Sequence, residues 1–360
     1  MGRTLCLTTL ALLLSDPLRS QTELTPLIRE LRAAVQDDSL ASASEIANRL
    51  DEAVQRQYSG WLIHDSRERI RDVLQWLPRD VESFWVNQEP FKIEPEQSVQ
   101  LLYGRPALVY SVDRLMSLNG GAFYKSLANR TVRLVMAATK NIGPEDRAVP
   151  GVIGAQDVAY FYFFDGPVHL PPADERIQGH SAWKGTAVID SGAPFEPGVK
   201  REQREDENWI ILPRPDLLIV ANRHEMLNRI LEQMSAGSKT RALPDDLPEW
   251  TQVNQSAPFW GLRHYSAQSK PKPGEQGYDA AELPRPDGSA QGITVQFDTA
   301  NQKLEVRYLS TAPVAEGQLV GQFKIQHSEP QVWKLVSDIQ DRGPWPVHFA
   351  MSMLGFGEYR

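Results

Sequence analysis

The chain has 360 residues, 41% of them hydrophobic and 23% charged, with one cysteine and a formal net charge of −8. That length carries a hydrophobic core without disulfides, and a single cysteine excludes a disulfide framework, Cys-rich zinc sites and iron–sulfur centres. An acidic chain with no basic stripe is a poor partner for nucleic acid, whose affinity comes mostly from phosphate attraction.

The first twenty residues have the layout of a secretory signal peptide. Arg3 precedes an apolar run from Leu5 to Leu14, Asp16-Pro17 breaks it, and Arg19-Ser20-Gln21 follows. The run is shorter than the roughly 20 apolar residues of a membrane span. Residues 1–20 are therefore expected to direct export to the periplasm or beyond and to be removed. The lone Cys6 would leave with them, and no transmembrane span would remain.

Residues 21–78 read as a helical region. Thr25-Pro26 resembles a capped start, with Leu27, Ile28, Leu31 and Val35 on one face. Ser42 with Glu45, and Asp65 with Glu68, have capping-box spacing ahead of two further apolar faces, and Pro78 ends the last helix. Arg67, Arg69 and Arg71 alternate with acids, as on a solvated helix side.

Strand patterns follow over 79–360. Val81–Asn87, Ala107–Val112 and Thr131–Thr139 are the first, with a turn at Gly120-Gly121. Val158–Phe164 is apolar on both faces, which predicts a central buried strand. Trp183–Asp190 and Trp209–Leu212 predict a hairpin whose solvated tip is the mixed-charge run Lys200–Glu207. Trp209–Pro213 and Asp216–Asn222 are short strands that feed an amphipathic helix from Arg223 to Met234. Phe259–Ser266 is a further strand, 267–292 a long Pro- and Gly-rich loop, and Ile293–Phe297 with Leu304–Leu309 a second hairpin. The apolar end, His348–Tyr359, is expected to dock on the body. Phe84-Trp85 and Phe259-Trp260 each follow a Leu-Pro pair, but at different spacings, whereas repeats keep their period.

Three motifs invite catalytic readings. His224-Glu225-Met226-Leu227-Asn228 matches the zinc-protease pattern His-Glu-x-x-His except at Asn228, a poor zinc ligand, so no metal is expected. Glu225 lies three residues after Asn222, the spacing of a helix capping box. Gly179-His180-Ser181-Ala182-Trp183 approximates the Gly-x-Ser-x-Gly elbow of hydrolases, with tryptophan where the close approach requires glycine. Ser181 is the candidate nucleophile if the chain is a hydrolase. His64-Asp65-Ser66 is a triad in a row, and sequence neighbours point apart. Phosphate-cradling Gly-rich loops are absent, Asp37-Asp38 and Asp245-Asp246 lack calcium-loop spacing, and spacing singles out no carboxylate pair among the 46 acids. No cofactor is expected. Asn129 and Asn254 match the glycosylation pattern.

The segments Leu212–Asn222, Ala242–Trp250, Phe259–Tyr265 and Trp76–Asp80 resemble a family of exported proteins of soil bacteria with no assigned activity. The resemblance implies export and a shared architecture, and transfers no catalytic residue. The expectation is an α+β protein, with an N-terminal helical region followed by a mainly antiparallel sheet with a few packed helices. Its expected role is a non-catalytic binding or interaction protein of the cell envelope, with an unknown protein or small molecule as partner. The alternatives are a hydrolase using Ser181 or a carboxylate pair, and a structural envelope protein.

Overall fold

The computed structural model describes residues 66–94, 122–140, 157–190, 203–237, 241–265, 290–298, 303–310, 319–320, 323–329, 331–338 and most of 350–356, with residues 29–33, 46, 49 and 115. Two compact units divide the chain, Met1–Arg69 and Ile70–Arg360. In the first, residues 29–33 are helical; most of the expected N-terminal helical region before residue 66, the export signal, the strand at 107–112 and the turn at 120–121 lie outside the described residues.

In chain order the elements are α1 (66–76), β1 (Ser83–Asn87), β2 (Phe91–Lys92), α2 (Ala122–Ser126), β3 (Thr131–Lys140), β4 (Asp157–Phe164), β5 (Glu175–Ile177), β6 (His180–Asp190), β7 (Gln203–Arg214), β8 (Leu217–Ala221), α3 (His224–Ala236), α4 (Glu249–Gln252), β9 (Phe259–His264), β10 (Ala290–Asp298), β11 (Lys303–Ser310), β12 (Leu319–Val320), β13 (Phe323–Glu329) and β14 (Val332–Asp338). The strands form one 14-stranded sheet in the order β12-β13-β14-β11-β10-β9-β1-β3-β4-β8-β7-β6-β5, with β2 pairing β3 off that path. Every pairing is antiparallel. The architecture is a mainly antiparallel sheet with a few packed helices.

The period-2 geometry of the central strands sends alternate side chains into two apolar layers. Trp85, Val135, Tyr162, Val220 and Phe259 enter the first, where Met351, Leu354 and Phe356 pack against the sheet, as expected of the apolar end of the chain. Phe84, Met136, Phe161, Ile219 and Trp260 enter the second, covered by Val73 and Leu74 of α1 and by Met226, Leu227, Ile230 and Leu231 of α3. Trp85 and Trp260 are both 0% exposed; truncating a side chain of that size costs about 3–5 kcal/mol. Phe-Trp at 84–85 and at 259–260 thus falls on paired strands with the indoles on opposite faces.

β4 is central and buried as its composition predicts, lying between β3 and β8. Beyond β9 the second face changes character. β10 and β11 bury Ile293, Val295, Phe297, Val306 and Tyr308 in the first layer, while Thr294, Gln296, Glu305 and Arg307 occupy the other side. An antiparallel sheet can leave one face polar in this way.

Two expectations need correction. The charged run is only partly a loop: Gln203–Glu207 continue β7 and pair with Asp190–Thr186. From Gln203 to Asn208, β7 pairs among the described residues with β6 alone, so no further strand demands alternating apolar residues there. The long loop also ends earlier than expected, because Ala290–Gly292 belong to β10.

Candidate functional site

The zinc-like motif lies on α3. His224 and Asn228, one helical turn apart, face each other with Asn228 Nδ2 3.3 Å from His224 Nδ1, and the imidazole packs 4.6 Å from the Trp209 ring. Asn222 does not cap the helix. The N-cap is Arg223, with no side-chain cap bond. Asn222 Oδ1 instead accepts the Val158 N–H at 2.8 Å, and its own N–H donates to Val158 O. The side chain thereby extends the β4–β8 ladder, a use that the local spacing with Glu225 does not reveal. Glu225 is exposed.

Ser181 sits in β6, opposite Arg176 of β5. Strand runs on both sides of it, so the tight strand-to-helix elbow is not present at that point. His180 precedes it on the strand and projects to the opposite face. Of the in-row triad, His64 and Asp65 lie outside the described residues. Asn129 and Asn254 are both exposed, and Asp245 pairs with Arg241. No group of three or more metal-ligating side chains exists among the described residues.

The most unusual polar group is Glu249, a 0%-exposed carboxylate. Pro248, at φ −62°, starts α4, in keeping with the fixed backbone angle of proline. Trp250 fixes the segment: its indole N–H lies 2.9 Å from Pro244 O and 3.2 Å from Leu243 O, its ring meets Trp260 at 6.1 Å, and Arg241 lies over it at 4.8 Å. Glu249 therefore points at the sheet where β9 meets β10. His264 Nδ1 donates to Glu249 Oε1 at 3.0 Å. Glu249 Oε2 has no hydrogen-bond partner among the described residues.

Gly292, opposite His264 in the β9–β10 register, makes the floor of this cradle. A Cβ at 292 would lie 1.9 Å from Glu249 Oε1. His264 is anchored by its own backbone N–H, which donates to Glu82 O at 2.8 Å. With Nδ1 committed to the carboxylate, the imidazole is held in one orientation, and its side chain remains 34% exposed.

A polar ledge continues from this pair across the second face. Gln252 of α4 accepts from Arg307 Nη1 at 2.8 Å. Arg307 Nε and Lys334 Nζ each lie 2.6 Å from a Glu305 oxygen, and the Asn254 N–H donates to Gln296 at 3.2 Å. The ledge presents two cations around one carboxylate beside a buried acid and an oriented imidazole. Such an array can bind a ligand that carries both donor and acceptor groups.

A separate charged cluster ties the sheet to α3. Asp80 receives a two-pronged bond from Arg229, at 2.6 and 3.0 Å, and pairs with Lys140 at 2.9 Å. Partial burial pushes the Asp80 carboxyl up, but the bonds from Arg229 and Lys140 outweigh it and hold it below the ordinary value. Asp157 goes the other way: burial raises it despite Arg223 and Lys140 nearby. Every member of this cluster has an opposite charge within reach, the pattern of a structural clamp.

Ser181 and His264 belong to different parts of the sheet. Six strand steps separate β6 from β9, roughly 29 Å at the usual spacing. Sequence reasoning missed the Glu249–His264 pair. Its members are 15 residues apart in no motif, and they meet only because α4 folds back over the β9–β10 register.

No family model and no curated protein matches the chain. Solved structures similar to it include crystal form I of TP0453, with a TM-score of 0.43 and 8% identity over 78% of this chain and 96% of that one. Crystal form III of TP0453 aligns with a TM-score of 0.34 and 7% identity over 74% of this chain and 93% of that one.

Proposed function

We propose that the chain is an exported, non-catalytic binding or interaction protein of the cell envelope, and that its binding site is the ledge where α4 meets β9, β10, β11 and β14. Residues 1–20 as export signal and a helical region over 21–78 belong to the same proposal. The observation that carries the site is Glu249, wholly buried with one oxygen on His264 and the other without a partner among the described residues. A buried carboxylate oxygen left unpaired is costly, and costs of that kind concentrate at functional sites. The matching ligand brings a hydrogen-bond donor, an amine or amide N–H, toward this acid and an acceptor group toward Arg307 and Lys334.

A thermal-shift screen of amine- and amide-bearing small molecules and peptides on the chain without residues 1–20 tests this. Ligands that raise the melting temperature should lose that effect in Glu249→Gln and in Arg307→Gln. Retention of the effect in both variants would remove the ledge as the site. Robust turnover of an ester, peptide or glycoside, abolished by one substitution, would overturn the non-catalytic role itself. A hydrolase reading draws on one observation, that a carboxylate on His264 Nδ1 is also how a catalytic imidazole is oriented. Under that reading His264→Gln would abolish hydrolysis.

A further inference from the structure

The two ends of the ledge carry opposite charge. At one, Glu249 is 0% exposed and its Oε2 has no hydrogen-bond partner among the described residues. At the other, Arg307 and Lys334 share Glu305, and two cations around one carboxylate leave a net charge of +1.

Register sets the distance between these ends. Gly292, the floor beneath Glu249, stands opposite Leu309 of β11. Arg307 and Lys334 lie two residues along, opposite each other on β11 and β14. Strand spacing and rise put the backbone at Gly292 about 10 Å from the midpoint of the two cationic positions. Between them lie Thr294 of β10, opposite Arg307, and Gln252 of α4, which accepts from Arg307. A carboxylate alone would meet Glu249 with like charge, and an amine alone would meet the cations. The polar groups between suit peptide bonds rather than an alkyl chain.

We propose that the ledge takes a zwitterion, a short peptide with free amino and carboxyl ends about 10 Å apart, and that its ammonium group competes with the His264 proton for Glu249. This inference rests on the ledge being the binding site. The ammonium donates to Glu249 Oε2, and the carboxylate faces Arg307 and Lys334. Glu249 heads the four-residue α4, so this one turn yields to admit the amino end.

The competition follows from the pairing of His264. Its Nδ1 donates to Glu249 Oε1 whether the ring is neutral or charged, so the ring takes up its second proton at Nε2. The side chain is 34% exposed, within reach of solvent protons. A charged ring and a ligand ammonium would both sit against the one carboxylate and repel each other. Beside His264 in the register stand Gly292, which has no charge, and Glu82, whose carbonyl accepts the His264 N–H at 2.8 Å. Arg263, next in the chain, lies over Tyr265 and donates to Met353 O. Glu82 and Arg263 keep these places with and without ligand and drop out of the difference. The proton therefore prevails in acid, and the ligand gains as the pH rises through the range in which histidine loses its charge.

Isothermal titration of the full chain with triglycine at pH 5 and pH 7 tests this. Three extended residues span about 10 Å, and both termini stay charged, with ordinary values of about 8 and about 3.5. Affinity should be about fivefold or more higher at pH 7, and at pH 6 the heat should vary with the buffer as protons are released. N-acetyl-triglycine and triglycine amide should each bind about tenfold more weakly or worse. His264→Gln keeps a donor toward Glu249 and should bind triglycine equally at both pH values. Equal affinity of the parent chain at both pH values, or a pH dependence that survives in His264→Gln, would overturn the competition and leave the ledge standing. Absence of triglycine binding, or equal binding of the acetylated peptide, would overturn the zwitterion. Triglycine binding unchanged in both Glu249→Gln and Arg307→Gln would instead remove the ledge itself.

Discussion

Gly261 of β9 stands directly opposite Trp85 of β1. A Cβ at 261 would lie 2.9 Å from Trp85 Cβ and 2.7 Å from Leu354 Cδ1. The glycine thus lets a fully buried indole and the chain's apolar end share one layer. Gly261→Ala should destabilise the protein by about 1–3 kcal/mol, the cost of forcing a methyl into a packed core. A shift in urea midpoint at constant slope would report it; no shift would mean that Leu354 swings clear at no cost.

Gly292 serves the candidate site in the same way. Alanine there would meet Glu249 Oε1 at 1.9 Å and the Arg263 carbonyl oxygen at 2.5 Å. Gly292→Ala should cost about 2 kcal/mol, and part of that cost should vanish in a Glu249→Ala background, where only the carbonyl contact remains. A double-mutant cycle measures the coupling. Simple additivity would mean that the two residues do not touch.

Asn222 and Glu225 distinguish a helix cap from a strand extension. Asn222→Ala should cost about 1 kcal/mol, because it leaves the Val158 N–H without its acceptor. Glu225→Ala, at an exposed position, should change stability by less than about 0.5 kcal/mol. Equal losses in thermal melts would restore the capping box.

Asp80 and Asp157 should give opposite dependences on pH. The Asp80 carboxyl is held below its ordinary 3.8 in the folded chain. Its contribution is therefore fully present above 3.8 and is lost as the pH falls through the lower folded value. With Asp80 39% exposed, solvent screening limits that contribution to about 1 kcal/mol or less. The Asp157 carboxyl is raised above 3.8, so its contribution is present in acid and is lost as the pH rises through the folded value. Against the parent chain, Asp80→Asn should be less stable at neutral pH and should converge with it in acid. Asp157→Asn should gain stability relative to the parent as the pH rises. Urea melts between pH 3 and 7 would show the two trends, and parallel trends would count against the assigned directions.

The elements that were legible in the sequence are those whose pattern is local. β1, β3 and β4 follow from apolar runs and alternation, the β10–β11 hairpin from two alternating runs around a polar turn, and α3 from a stripe at helical spacing. β5, the short helices α2 and α4, and β12 to β14 were not anticipated. β5, α2, α4 and β12 have two to five residues, too short to show a period, whereas β13 and β14 have seven each and are held by their pairing partners: Val332–Leu335 keep their place through β11 and β13.

By itself, then, the amino-acid order determined the apolar and polar alternation, the amphipathic face of α3 and the failure of the zinc motif at Asn228. Each of these depends on residues within a turn or two of one another. Only the tertiary structure decided that β9 lies between β1 and β10, that Asn222 serves β4, and that Glu249 is buried against His264 over Gly292. It also set Ser181 six strands from that histidine. These are matters of register between distant segments, settled by filling two apolar layers at once, and that constraint is written in no single stretch of the chain.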